Sequence, residues 1–162
     1  MKKLSLILIF LYEIACFGQK EASNWYFGDR AGIRFNNDGT VTELTNGKLS
    51  TIEGCTTISD ANGNLLFYTD GVTVWNRNHN AMPNGFGLFG DPSSTQSAIV
   101  VPQPNNPNLY YIFTVDTSVN QNDPNYGFNY SVVDMTLNVG LGNVTTKNSN
   151  LLPVSSEKVT AV

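Results

Sequence analysis

Apolar and polar positions alternate over short runs along this chain. After the first eighteen residues no window repeats at the 3.6-residue period of a helix. The alternation predicts short strands over 25–28, 32–36, 41–44, 56–59, 65–69, 72–75, 97–101, 109–115, 128–135 and 144–147, the strongest being LYYIFTV at 109–115. Asn62-Gly63 and Asp70-Gly71 join three of them into an antiparallel meander over 56–76. Each dipeptide reads as a two-residue turn with both residues at positive φ. Residues 77–96 and 116–127 are polar, rich in Asn and Gly, and read as long connecting loops. A last apolar run opens at Lys158–Val162.

The strand sets repeat loosely. One unit starts at Thr56, the next at Ala98 and a third near Val159, at spacings of about 42 and about 61 residues, within the range of four-stranded propeller blades. The predicted fold class is therefore all-β, an incomplete β-propeller made of its first four-stranded antiparallel blades. A small β-sandwich of eight or nine strands is the alternative. Blades bury their faces only against neighbours, so the propeller reading makes 19–162 the N-terminal fragment of a larger domain, with the rest of the same polypeptide as its first partner.

Residues 1–18 fall outside that pattern. Lys2 and Lys3 precede an apolar run from Leu4 to Leu11, and Cys16-Phe17-Gly18 offers small residues at a cleavage position, the layout of a secretory signal peptide. No other segment is apolar enough to form a membrane span. Cleavage removes Lys2, Lys3 and Glu13, taking the net charge from −4 to −5. An acidic chain with no basic stripe argues against nucleic acid as a partner. Cys55 is then the only cysteine, and reads as a small core residue.

Candidate chemistry is thin. Asp60-Ala61-Asn62-Gly63-Asn64 places oxygen ligands at alternate positions, like the start of a calcium loop, but Leu65 and Gly71 stand where such a loop needs Gly and an acid. A hairpin turn accounts for the pattern, so the expectation is no metal and no cofactor, with calcium the one possible exception. One histidine and one mature cysteine are too few for zinc. No pair of carboxylates stands out for glycoside hydrolysis, and no G-x-S-x-G is present. What remains is the make-up of a carbohydrate-binding surface, aromatic residues beside Asn and Asp. The candidate ligand contacts are Trp75, Arg77, His79 and Asp91, with His79 read as a solvated loop side chain in the absence of a ligand. Loops 77–96 and 116–127 are the natural place for contact.

Three strings, NWYFGDRAGIRF (24–35), LTNGKLSTIEGCTTISDANGNLLFYTDGVTVWN (44–76) and MPNGFGLFGDPSSTQSAIVVPQPNNPNLYYIFTVD (82–116), resemble the N-terminal region of large secreted proteins of Bacteroidota. In those proteins a propeller-like domain precedes other modules and a C-terminal sorting domain for type IX secretion, the system linked to gliding motility. The resemblance implies an exported, extracellular or cell-surface protein, and surface attachment is expected of the full-length protein. The expected function is a non-catalytic binding module for a surface glycan or protein. The alternative is the first part of a propeller-type glycan-degrading enzyme with its catalytic residues further along.

Overall fold

The computed structural model describes residues 20–116 and 124–161; the predicted signal peptide and Val162 lie outside them. The chain is all-β, as its alternation predicts. Eleven strands follow a short 3-10 turn at Lys20–Ala22: β1 (Asn24–Phe27), β2 (Ala31–Phe35), β3 (Val41–Leu44), β4 (Thr56–Ser59), β5 (Leu65–Thr69), β6 (Thr73–Asn76), β7 (Ala81–Phe86), β8 (Ala98–Pro102), β9 (Leu109–Val115), β10 (Phe128–Asp134) and β11 (Asn143–Leu152). They form three antiparallel sheets in plain chain order, β1-β2-β3, β4-β5-β6-β7 and β8-β9-β10-β11. No described helix is long and apolar enough to cross a membrane.

The three sheets stack face to face. Tyr26, Leu49 and Tyr68 form a small core between the first and second sheets, with Cys55 packed half-buried against it. Burial pushes the Cys55 thiol up, and Asp70 adds to the shift. A larger core lies between the second and third sheets, where Phe67, Val74 and Met82 meet Tyr110, Ile112, Val133 and Val144. The middle sheet is thus apolar on both faces. The outer face of the first sheet carries exposed Trp25, Phe27, Phe35 and Val41. That of the third carries half-buried Tyr111, Phe113, Phe128 and Tyr130, whose rings touch along the ladder.

Three expectations need correction. The segment 77–96 is not all loop, because β7 closes the meander as a fourth strand. Pro83 and Gly85 hide it in the sequence, but an outermost strand tolerates a residue without an N–H, and Met82 and Gly85 are buried. The strand predicted at 144–147 runs on to Leu152 as β11, across three register shifts that accommodate polar residues. No strand forms at 158–161. The turns differ too: at Asn62-Gly63 and Asp70-Gly71 only the glycines have positive φ, at 84° and 89°.

The turn at Asp60–Asn64 has two sisters, Asn36–Thr40 and Asn76–Asn80. In all three the first N–H donates to the fifth carbonyl, at 2.8 to 2.9 Å, and the fourth N–H to the first carbonyl, at 2.9 to 3.0 Å. The fourth residue is left-handed each time: Gly39, Gly63 and, in the third turn, His79 with φ 60°. The calcium-like pattern is turn chemistry. Asp60 Oδ1 accepts the N–H groups of Asn62 and Asn64, and Oδ2 accepts Asn64 Nδ2–H.

Candidate functional site

The four candidate contacts do not form one site. Trp75 and His79 belong to an aromatic cluster between the first two sheets. Tyr68 is fully buried there, stacked on Tyr26 at 4.6 Å and on Trp75 at 5.6 Å between ring centroids. Its hydroxyl accepts the Lys48 N–H at 3.0 Å and faces His79 Nδ1 at 3.1 Å. Burial pushes the Tyr68 phenol up to about 12, so it keeps its proton. Burial, and then the Lys48 charge, hold His79 below the ordinary imidazole range. A neutral ring accepting from Tyr68 satisfies both groups. His79 is therefore not the solvated side chain the sequence suggests. It is a half-buried ring seated edge-on to Tyr26 at 5.4 Å, in a backbone conformation usually left to glycine.

Arg77 points elsewhere. Its guanidinium donates to the Gly140 carbonyl at 2.6 Å, tying the turn before β7 to the third sheet. Further along the same seam Asn84 Nδ2 donates to Val144 O and Lys147 Nζ to Phe86 O. This is structural work at the outer strands.

Asp91 lies at the opposite end of the second and third sheets, where the connections converge. Gly90 N–H bonds Gly71 O, Asp91 N–H bonds Val115 O and Val115 N–H bonds Ser97 O. A β-carbon on Gly90 would lie 2.6 Å from both Gly71 O and Ser97 Oγ, so the closeness of these chains requires glycine. Here the described parts of the two loops predicted to carry contacts meet, residues 117–123 of the second lying outside the described residues. They enclose a cleft of about 240 Å3 lined by Val72, Phe89, Asp91, Pro92, Asp116 and Tyr126, among others. Phe89 and Tyr126 stack with centroids 4.1 Å apart and planes 14° from parallel. Asp91 Oδ1 accepts both the N–H and the Oγ–H of Ser93 at 2.8 Å.

The two rings of this cleft are held through their backbones. Asp116 Oδ2 accepts the Tyr126 N–H at 2.8 Å, and buried Asn129 donates to the Tyr126 carbonyl at 2.8 Å. Asn148, left-handed at φ 57°, accepts the Phe89 N–H and donates to Gly87 O. Sequence reasoning named Asp91 and both loops but not Phe89, Tyr126, Asp116 or Asn148. No spacing in the chain links residues so far apart.

A larger cavity, of about 460 Å3, lies between the turns at Asn36–Thr40 and Asp60–Asn64 and includes Arg34 and Asp38. Its acid is taken up by its own turn, since Asp38 Oδ1 accepts the Thr40 N–H and hydroxyl. No group of three or more His, Cys, Asp or Glu able to hold a metal occurs among the described residues. The cleft at Phe89 and Tyr126 is the better candidate, combining open aromatic surface with a carboxylate. The chain matches no protein-family model, no curated protein and no solved structure.

Proposed function

We propose that the chain is the opening part of a β-propeller in an exported, cell-surface protein, and that it acts as a non-catalytic binding module for a glycan. The observation that carries the reading is the stack of sheets. Two four-stranded sheets follow each other in plain chain order, with β1 beside β4 and β4 beside β8. A middle sheet covered on both faces suits successive blades and not a two-sheet sandwich. Blades of a propeller leave apolar faces at an unclosed seam, which accounts for Trp25, Phe27 and Phe35 at one end and the Tyr111–Tyr130 ladder at the other. Loops that gather at one end of the blades are the usual place for a ligand, and the cleft lies there. Export rests on the signal-like segment at 1–18 and on the resemblance to secreted Bacteroidota proteins.

A glycan array probed with the purified chain tests the binding role. Retention of at least one glycan without turnover is the expected result. Failure to retain any would overturn it. Cleavage of a bound glycan, abolished by one carboxylate substitution, would move the chain to the enzyme reading.

A further inference from the structure

The geometry points to a single subsite for a neutral sugar ring in the cleft lined by Phe89 and Tyr126, with Tyr126 as its platform and Asp91 as its hydrogen-bond acceptor. This deepens the binding role proposed above and rests on it. Three observations carry it.

The first is the platform. Tyr126 is 46% exposed although one face of its ring is stacked on half-buried Phe89, so Phe89 supports a ring that lines the cleft and keeps aromatic surface open. Such a surface is electron-rich, and the polarised C–H groups on one side of a pyranose pack against it.

The second is rigidity. The Tyr126 backbone is bonded at its N–H by Asp116 and at its carbonyl by Asn129, and the Phe89 N–H is bonded by Asn148. Asp116 and Asn129 are 8% and 1% exposed, so these clamps are not loose surface contacts. Asp116 is further tied through its carbonyl, which accepts the Ser155 hydroxyl. A platform fixed in this way loses little conformational entropy on binding.

The third is polarity and size. No lining residue among the described residues is cationic. Asp91 uses Oδ1 on Ser93, and no hydrogen bond occupies Oδ2 among the described residues. That oxygen can accept sugar hydroxyls, whereas a uronate or sialate carboxylate would meet like charge with no compensating cation. The volume of about 240 Å3 suits one sugar ring and not a protein surface.

The test is calorimetric titration of the purified chain with four neutral hexasaccharides (cellohexaose, laminarihexaose, mannohexaose, chitohexaose) and with hexagalacturonate. At least one neutral hexasaccharide should bind, and hexagalacturonate should not. Tyr126→Ala should weaken the neutral ligand at least tenfold and Asp91→Asn several-fold, whereas the remote Trp25→Ala should leave it unchanged. Thermal melts of each variant separate lost contact from lost fold, and Asp91→Asn keeps the test decisive if Tyr126→Ala is unstable. Neutral binding that survives both Tyr126→Ala and Asp91→Asn would overturn the subsite and leave the binding role standing. Tighter binding of hexagalacturonate than of every neutral ligand would overturn the ligand class. No binding to any hexasaccharide, together with a blank array, would overturn both.

Discussion

At the scale of single residues the informative position is His79. It holds the fourth place of a turn whose two sisters have Gly39 and Gly63 there, and a left-handed backbone costs a side-chain-bearing residue about 1 kcal/mol or more. Contacts with Tyr26 and Tyr68 offset that strain. Removing the hydroxyl with Tyr68→Phe leaves the Lys48 N–H and His79 Nδ1 unpaired, and should lower stability in urea by about 1–3 kcal/mol. An unchanged midpoint would show that the bridge contributes nothing. The pH dependence follows from the depressed His79 pKa. The unfolded chain takes up the proton near pH 6.5 and the folded chain only below that, so the stabilisation is complete above 6.5 and is lost as pH falls through the window beneath it. His79 is the sole histidine. Melting temperatures between pH 7 and pH 5 should therefore fall in the native chain and flatten in His79→Asn, a residue that tolerates the left-handed turn. The relation was partly legible in the sequence, since NNDGT, DANGN and NRNHN line up, but only the structure reveals that His replaces Gly in one backbone form.

At the scale of elements, the central strands β5, β9 and β10 were readable because each is rich in aromatic and β-branched residues, and in β9 and β10 burial alternates along nearly the whole strand. Of the outermost strands, β7 and most of β11 were not. They pair on one side only, so β7 admits Pro83 and β11 admits a polar run with Asn148 left-handed in its midst. That irregularity has a use: Asn148 reaches across to fix Gly87 and Phe89 of the neighbouring connection. Asn148→Ala should speed hydrogen exchange at the Phe89 amide and cost about 1–3 kcal/mol of stability. Exchange at native rates would mean the clamp is not what orders that connection. The cleft was legible only as two loops, because its parts meet through backbone bonds between sheets, which no local pattern records.

At the scale of the whole molecule, the two outer faces differ from the two inner seams in what covers them. Aromatic and β-branched side chains on the first sheet face solvent among the described residues, and together they make an apolar patch. A dye such as ANS should bind there, and the double change Phe35→Lys with Val41→Lys should abolish most of that signal while moving stability by about 0.5 kcal/mol or less. A large destabilisation would mean another part of the molecule covers the face. The unequal seams also order the unfolding. Among the described residues three buried hydrophobic side chains form the core between the first and second sheets, whereas ten form that between the second and third. The first sheet is thus the weaker cooperative unit, free to open while the other two stay closed. The connection at 45–54 nonetheless touches the cleft, since the Glu53 N–H and the Thr51 hydroxyl both donate to the carbonyl of Pro92, next to Asp91, so a protease that nicks it would loosen one wall of the site. Recognition and the integrity of the leading edge are thereby linked in this chain.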